Sequence, residues 1–194
     1  MSVPYIIEQG PNNTERVYDL YSRLLKDRII FIRGPINFEM ADAIVAQLLH
    51  LENESAEKDI FMYINSPGGF VDAMYAIFDT MAYITPEITT IAFGQAISAA
   101  SFLLSAGAKG RRYSLPNTSI MIHELSTGTE GRYNDIKNHQ RHLDLMYENM
   151  AKSYAVFTGQ KLAKIKKDME RDYYMTAEEA VKYGLIDAVQ YKRG

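Results

Sequence analysis

A serine that is to attack a carbonyl needs a base within hydrogen-bond reach, a carboxylate to orient that base and N–H donors aimed at the developing oxyanion. The histidines are few enough to weigh singly: His50, His123, His139 and His142. His139 and His142 stand three apart in the charged run Lys137-Asn-His-Gln-Arg-His142, a spacing that can ligate a metal but reads better as a solvated helix face. His50 ends an amphipathic stretch beside Glu52, as a surface residue would. His123 closes the apolar run Ile120-Met-Ile, where a sheet delivers its last residues to a cleft. It is the strongest candidate base.

Ser98 stands where a buried run, Ile88 to Phe93, gives way through Gly94-Gln95-Ala96 to a stretch made largely of Ala and Ser. A hydroxyl at a helix N-terminus has a field that favours developing negative charge. The plainer reading makes Ser98 an N-cap, and Ser101, one turn on, is a rival. No Gly-x-Ser-x-Gly is present to decide the matter. The turn Asn65-Ser-Pro-Gly-Gly69 supplies backbone N–H groups with no Cβ in the way of an approaching anion, although such a turn is also common punctuation. Between Ser98 and His123 there is no Asp or Glu, so a nucleophile, acid, base order is excluded for this pair. Asp172, Asp168, Asp187 and Glu124 remain open as the orienting acid.

The elements that must position these residues alternate. Val17, Leu20, Tyr21, Leu24 and Leu25 predict a helix over 15–26, followed by a strand at 28–32 and the turn Gly34-Pro35. A second helix carries Met40, Ile44, Val45, Leu48 and Leu49, and a second strand is Ile60 to Ile64. Helix 71–83, strand 88–93 and helix 98–106 follow, with Gly107 expected as the last helix's C-terminal cap. Strands at 112–115 and 119–123 precede a long polar helix beyond Gly131, expected to project or to pack on a neighbour. Thr176-Ala-Glu-Glu179 is a capping box for a helix that Gly184 ends, and Leu185 to Val189 is the last strand. Alternation of this kind predicts an α/β fold with parallel pairing.

With 194 residues and no internal repeat, the chain reads as one domain, 1–194. Zero cysteines exclude disulfides, thiol nucleophiles and iron–sulfur clusters. A net charge of −3 and a pI near 5.8 argue against a nucleic-acid binder. No charged residue stands between Glu87 and Lys109, yet the Thr, Ser and Gly within that stretch favour a buried strand, turn and helix over a membrane segment. The first residues lack a basic start and a long apolar middle, so a cytoplasmic location is expected.

The blocks Val3-Pro4 with Ile7-Glu8-Gln9, Tyr21-Ser-Arg-Leu-Leu25, Tyr63-Ile-Asn-Ser-Pro-Gly-Gly69, Gly94-Gln-Ala96 with Ser98, Phe102-Leu-Leu104, Ala106-Gly-Ala-Lys-Gly110, Leu115-Pro-Asn117, Met121-Ile-His123, Thr158-Gly-Gln160, Glu170-Arg-Asp172 and Tyr183-Gly-Leu-Ile-Asp187 occur in order. Together they closely resemble the proteolytic subunit family of the ATP-dependent Clp protease (ClpP). The resemblance runs from about Val3 to Asp187. It implies the ClpP/crotonase-like ββα spiral, with an axial N-terminal segment (1–19) and a protruding helix-strand handle (125–157). It implies a serine endopeptidase with Ser98 as nucleophile, His123 as base, Asp172 as orienting acid, and the N–H groups of Gly69 and Ala99 as oxyanion donors. It also implies two stacked heptameric rings, with Glu170 and Arg171 in an inter-ring contact. A AAA+ unfoldase of the ClpX, ClpA or ClpC type would dock on Phe61, Tyr63, Tyr83, Ile91, Phe93, Tyr113, Leu115 and Gln190 and feed in unfolded polypeptide. ATP would be used by that partner, and no cofactor or metal by this chain.

Three departures stand out. The usual Ala-Ser-Met-Gly-Ala is here Ile97-Ser-Ala-Ala-Ser101, the usual Gln-Pro after the base is Glu124-Leu125, and a docking position that is usually Leu is Gln190. A non-catalytic scaffold subunit of a mixed ring is the alternative reading, with an acyl-CoA enzyme of the crotonase type behind it. Retention of Ser, His and Asp at all three matching positions favours the peptidase.

Overall fold

A computed structural model describes residues 4–9, 14–126, 128 and 130–192. Residues 1–3 and 10–13 of the expected axial segment, and 127 and 129 of the expected handle, lie outside the described residues. Two short strands come first, β1 (Tyr5–Gln9) and β2 (Glu15–Asp19), paired antiparallel with Tyr5 opposite Asp19. The helix predicted over 15–26 therefore begins late, as α1 (Leu20–Lys26). Asp19 sets that start: its carboxylate accepts from the N–H groups of Tyr21 and Ser22 at 3.0 Å each.

The main sheet is built from β3 (Ile29–Arg33), then, after α2 (Phe38–Glu54), from β4 (Ile60–Ser66) and, after α3 (Val71–Tyr83), from β5 (Ile88–Ile97). Chain order continues with α4 (Ala99–Ser105), β6 (Arg112–Ser114), β7 (Ser119–Ile122), α5 (Tyr133–Thr158), α6 (Leu162–Met169), β8 (Tyr173–Met175), α7 (Ala177–Tyr183) and β9 (Ala188–Val189). Strands β3-β4-β5-β6-β9 lie side by side and parallel, in agreement with the expected α/β spiral. Helix α6 and strand β8 were not anticipated, and the last strand is shorter than 185–189.

Along β4, Ile60, Met62 and Ile64 are buried against Ile44, Leu48 and Leu51 of α2 and Met74 and Ile77 of α3. Each such side chain contributes about 1.5–3 kcal/mol by leaving water. The alternate residues Phe61 and Tyr63 face the open side. There the register aligns Phe31, Tyr63, Ile91 and Tyr113 in one row across four strands.

Strand β5 does not end at Phe93. It continues through Gly94 to Ile97, and the register against β4 shifts between Ile64 and Ser66. Gly94 has φ +71, and a Cβ there would lie 3.0 Å from Asn65 Oδ1, so this irregularity needs glycine. Below it β5 pairs with β6, Ala92 opposite Ser114; beyond it β5 pairs with β7, Ile97 opposite Met121. This change of partner brings the ends of β5 and β7 together. Gly107, expected as a cap, does a different job, because α4 is capped at Ala106 and a Cβ on Gly107 would lie 2.4 Å from Thr90 Oγ1.

The uncharged stretch 88–108 is thus strand, turn and short helix, and no helix among the described residues is long and apolar enough to cross a membrane. Helix α5 is exposed throughout its first turns and buried only at Met150, Ala151 and Tyr154. Among the described residues between β7 and α5 no strand forms within the single chain, so the strand half of the expected handle is not seen. A strand needs a neighbour to pair with, and none of the described residues supplies one there.

Candidate active site

Ser98 follows β5 directly and opens α4 with φ +58 and ψ −123, a region that costs a non-glycine residue about 1–3 kcal/mol. Its N–H donates to Met121 O at 2.9 Å, and its carbonyl accepts from the amides of Ser101 and Phe102 at 3.0 and 3.2 Å. The N-cap reading fails, since the hydroxyl makes no cap hydrogen bond to the helix. Instead Oγ lies 2.7 Å from Nε2 of His123. The 65–69 turn is packed against this corner: Gly68 has φ +89, and a Cβ there would sit 2.6 Å from Ile97 O and 2.7 Å from Ser98 Cβ. Nothing but glycine lets the turn approach so closely.

Asp172 comes from the far side of the site. Strands β7 and β8 pair antiparallel with Ile122 opposite Tyr173, and one further step of that register sets Asp172 opposite His123. Its Oδ1 lies 3.6 Å from His123 Nδ1, within ion-pair reach but beyond a hydrogen bond. The Asp172 side chain is 60% exposed, against 23% for His123. Two of the other acids are engaged elsewhere. Asp168 accepts from Tyr183 Oη at 2.7 Å and pairs with Lys164. Asp187 takes a bidentate pair from Arg112, at 3.0 Å from Nε and 2.7 Å from Nη2. Glu124 is exposed and lines an open groove together with His123, Glu170, Arg171 and Asp172.

Ala99 is the first residue of α4, so its N–H has no partner inside the helix. It lines a small cavity of about 80 Å³ with Gly69, Ser98 and His123, walled by Val71, Met74, Leu125 and Met150. Gly69 is pressed against Ile36, whose carbonyl oxygen would stand 2.0 Å from an added Cβ. Ser101 is not poised as a nucleophile. It is fully buried, with Oγ 2.7 Å from the carbonyls of both Ser98 and Met121 and 2.8 Å from Tyr154 Oη. Burial pushes the Tyr154 phenol well above its ordinary range, so it remains an O–H donor. The sequence reading missed Tyr154, although Met150, Ala151 and Tyr154 mark an apolar edge on an otherwise polar helix.

On the open face of the sheet, Phe61, Tyr63, Ile91, Tyr113 and Gln190 line one cleft of about 500 Å³, rimmed by Asp27, Asp59 and Arg111. Three expected docking residues stand outside its lining. Tyr83 is 81% exposed at the end of α3, Leu115 is partly exposed, and Phe93 meets Tyr63 edge-on at 6.5 Å. Glu170 and Arg171 flank Asp172 at the mouth of the other groove. His139 and His142 lie on the exposed part of α5, and no group of three metal-ligating side chains occurs among the described residues.

A spiral α/β scaffold that sets a strained serine beside a strand-end histidine defines the ClpP-like peptidase class on a ClpP/crotonase-like fold. The family model for Clp protease matches residues 12–193, nearly the whole chain. The chain belongs to the Clp protease family.

Proposed function

We propose that this chain is a serine endopeptidase subunit that works through Ser98, His123 and Asp172. The observation that carries the reading is the 2.7 Å contact between Ser98 Oγ and His123 Nε2 at a strained corner of the sheet. His123 takes the hydroxyl proton as Oγ bonds to the scissile carbonyl carbon, and the oxyanion is held by the N–H groups of Gly69 and Ala99. The same proton passes to the departing amine, leaving an acyl-serine that a water, deprotonated by His123, then hydrolyses. Asp172 holds the imidazole in the tautomer this needs, and apo contacts of this kind commonly tighten once substrate is bound. The apolar walls of the small cavity suit an apolar side chain of the substrate.

The subunit acts within two stacked heptameric rings in the cytoplasm, contacting across the rings around Glu170 and Arg171. It needs no cofactor, and its N-terminal segment faces the axis. The chain carries no Gly-x-x-x-x-Gly-Lys-Ser/Thr, so a AAA+ partner supplies the ATP-driven unfolding and docks on the aromatic cleft around Tyr63 and Tyr113. The second reading, a scaffold subunit, is favoured only by the 3.6 Å gap between His123 and Asp172.

A fluorophosphonate probe decides between them. Ser98 should take the label, His123→Ala should abolish labelling, and short peptides should be cut without a partner. No covalent adduct on the assembled protein, or an adduct mapped to Ser101, would overturn the assignment.

A further inference from the structure

The backbone of Ser98 is costly, and costly backbone persists only where its surroundings over-determine it. Two buried groups that the peptidase reaction does not use converge on this corner. Ser101 Oγ lies 2.7 Å from Ser98 O and 2.7 Å from Met121 O, and Met121 O is the acceptor of the Ser98 N–H at 2.9 Å. One hydroxyl thus joins both sides of the Ser98 backbone to the strand that leads into His123. Tyr154, from α5, closes the arrangement with its Oη 2.8 Å from Ser101 Oγ and 3.4 Å from Ser98 O. The two carbonyls can only accept, so the Ser101 proton belongs to them, and Tyr154 is the donor in the Tyr154–Ser101 bond. The ring that carries the hydroxyl is fixed in turn, edge-on to Phe102 with centroids 5.3 Å apart.

We propose that Tyr154 and Ser101 form a positioning relay behind the nucleophile: Tyr154 donates to Ser101, and Ser101 donates to the Ser98 and Met121 carbonyls, holding the strained Ser98 with its hydroxyl aimed at His123. The proposal rests on Ser98 being the nucleophile. Donation from Tyr154 also polarises the Ser101 hydroxyl and strengthens its bonds to the carbonyls. Both residues are buried and their hydroxyls are taken by protein partners, so the relay acts on the rate of attack. Tyr154 also lines the small cavity, so Ser101→Ala, which does not touch that lining, is the cleaner test of an unchanged KM.

Tyr154→Phe and Ser101→Ala each remove a single oxygen. Each variant is compared with wild type for kcat and KM on a short peptide, and for the rate and stoichiometry of fluorophosphonate labelling. Each should lower kcat and the labelling rate constant by about five- to twentyfold, the effect of one buried hydrogen bond, with KM within about twofold and full stoichiometry. The double variant should be no slower than Ser101→Ala, because the two groups act in series; if the double does not fold, the single variants decide. Ile165→Val, which trims a buried side chain of α6 that makes none of these hydrogen bonds, serves as the control for lost stability. Unchanged labelling rates in both single variants would overturn the relay, as would an equal rate loss in Ile165→Val. Failure of the wild type itself to label at Ser98 would remove the peptidase reading first, so the two failures are distinguishable.

Discussion

The two halves of the candidate site are held differently. Ser98 and His123 meet at a corner fixed by strand ends, a glycine turn and buried hydroxyls, with 2.7 Å between Oγ and Nε2. Asp172 stands at the edge, 60% exposed, 3.6 Å from the imidazole and tethered by the short strand β8. The contrast sharpens against Asp187, a carboxylate on the same fold that accepts both arms of Arg112 as well as the amides of Arg112 and Gly110 at 2.9 and 2.8 Å. Within one chain, then, an acid can be locked or left open. The structure leaves open the one at the mouth of the groove, where a neighbouring element or a bound substrate can complete its contact.

Breaking the corner should cost most. Ser98→Ala is expected to lower kcat by about 10⁴–10⁶ with melting temperature and assembly retained. Asp172→Asn should cost about 10³–10⁴, measured on the same peptide. A loss equal to that of Ser98→Ala would show that edge and corner act as a single unit, and a loss below tenfold would take Asp172 out of the site.

Gly68→Ala tests how tightly the corner is fitted. The new methyl would strike Ile97 O and Ser98 Cβ, and displacing Ser98 should cost about 10²–10³ in kcat, read as a slower labelling rate at unchanged peptide KM. Should Gly68→Ala retain wild-type rates, the corner is looser than its distances indicate.

The smallest effect concerns the locked acid. Burial pushes the Asp187 carboxyl up, but the hydrogen bonds from Arg112 and Gly110 more than offset it and hold the carboxyl below its ordinary range. A lowered folded value means that ionised Asp187 stabilises the fold above its unfolded value near pH 4, and that this is lost as pH falls through the folded value. Asp187→Asn should therefore cost about 2–3 kcal/mol in urea unfolding at pH 7 and progressively less below about pH 4. A penalty independent of pH would show that packing, not the ion pair, holds this corner.

Much of the corner was legible because its signals are local. The apolar run before Ser98, the small residues after it and the position of His123 at a strand end each follow from chain order alone. Asp172 was not legible in this way, since its place depends on β8, three residues of which only Met175 is buried. The misread start of α1 has the same origin: Val17, Leu20 and Leu24 are spaced for a helix, and only pairing with β1 makes 15–19 a strand. Strand β5 was cut short because Gly94 reads as a break until Asn65 is seen beside it. Helix α6 did carry a signal, with Leu162, Ile165 and Met169 on one face among lysines, and the reading passed over it. The cleft on the open face was implied by the resemblance, yet it is the strand register that gathers Phe61, Tyr63, Ile91 and Tyr113 and leaves Tyr83 outside.

Helix α5 runs 26 residues, a rod of about 39 Å, and its buried residues all lie in its last third. In mechanical terms it is a cantilever. The free arm stands in solvent, and the fixed end is the segment that sets Tyr154 behind Ser98. A body that grips the arm therefore holds a lever whose fulcrum lies at the Ser98 corner, and a slight tilt far from the site arrives there as torque.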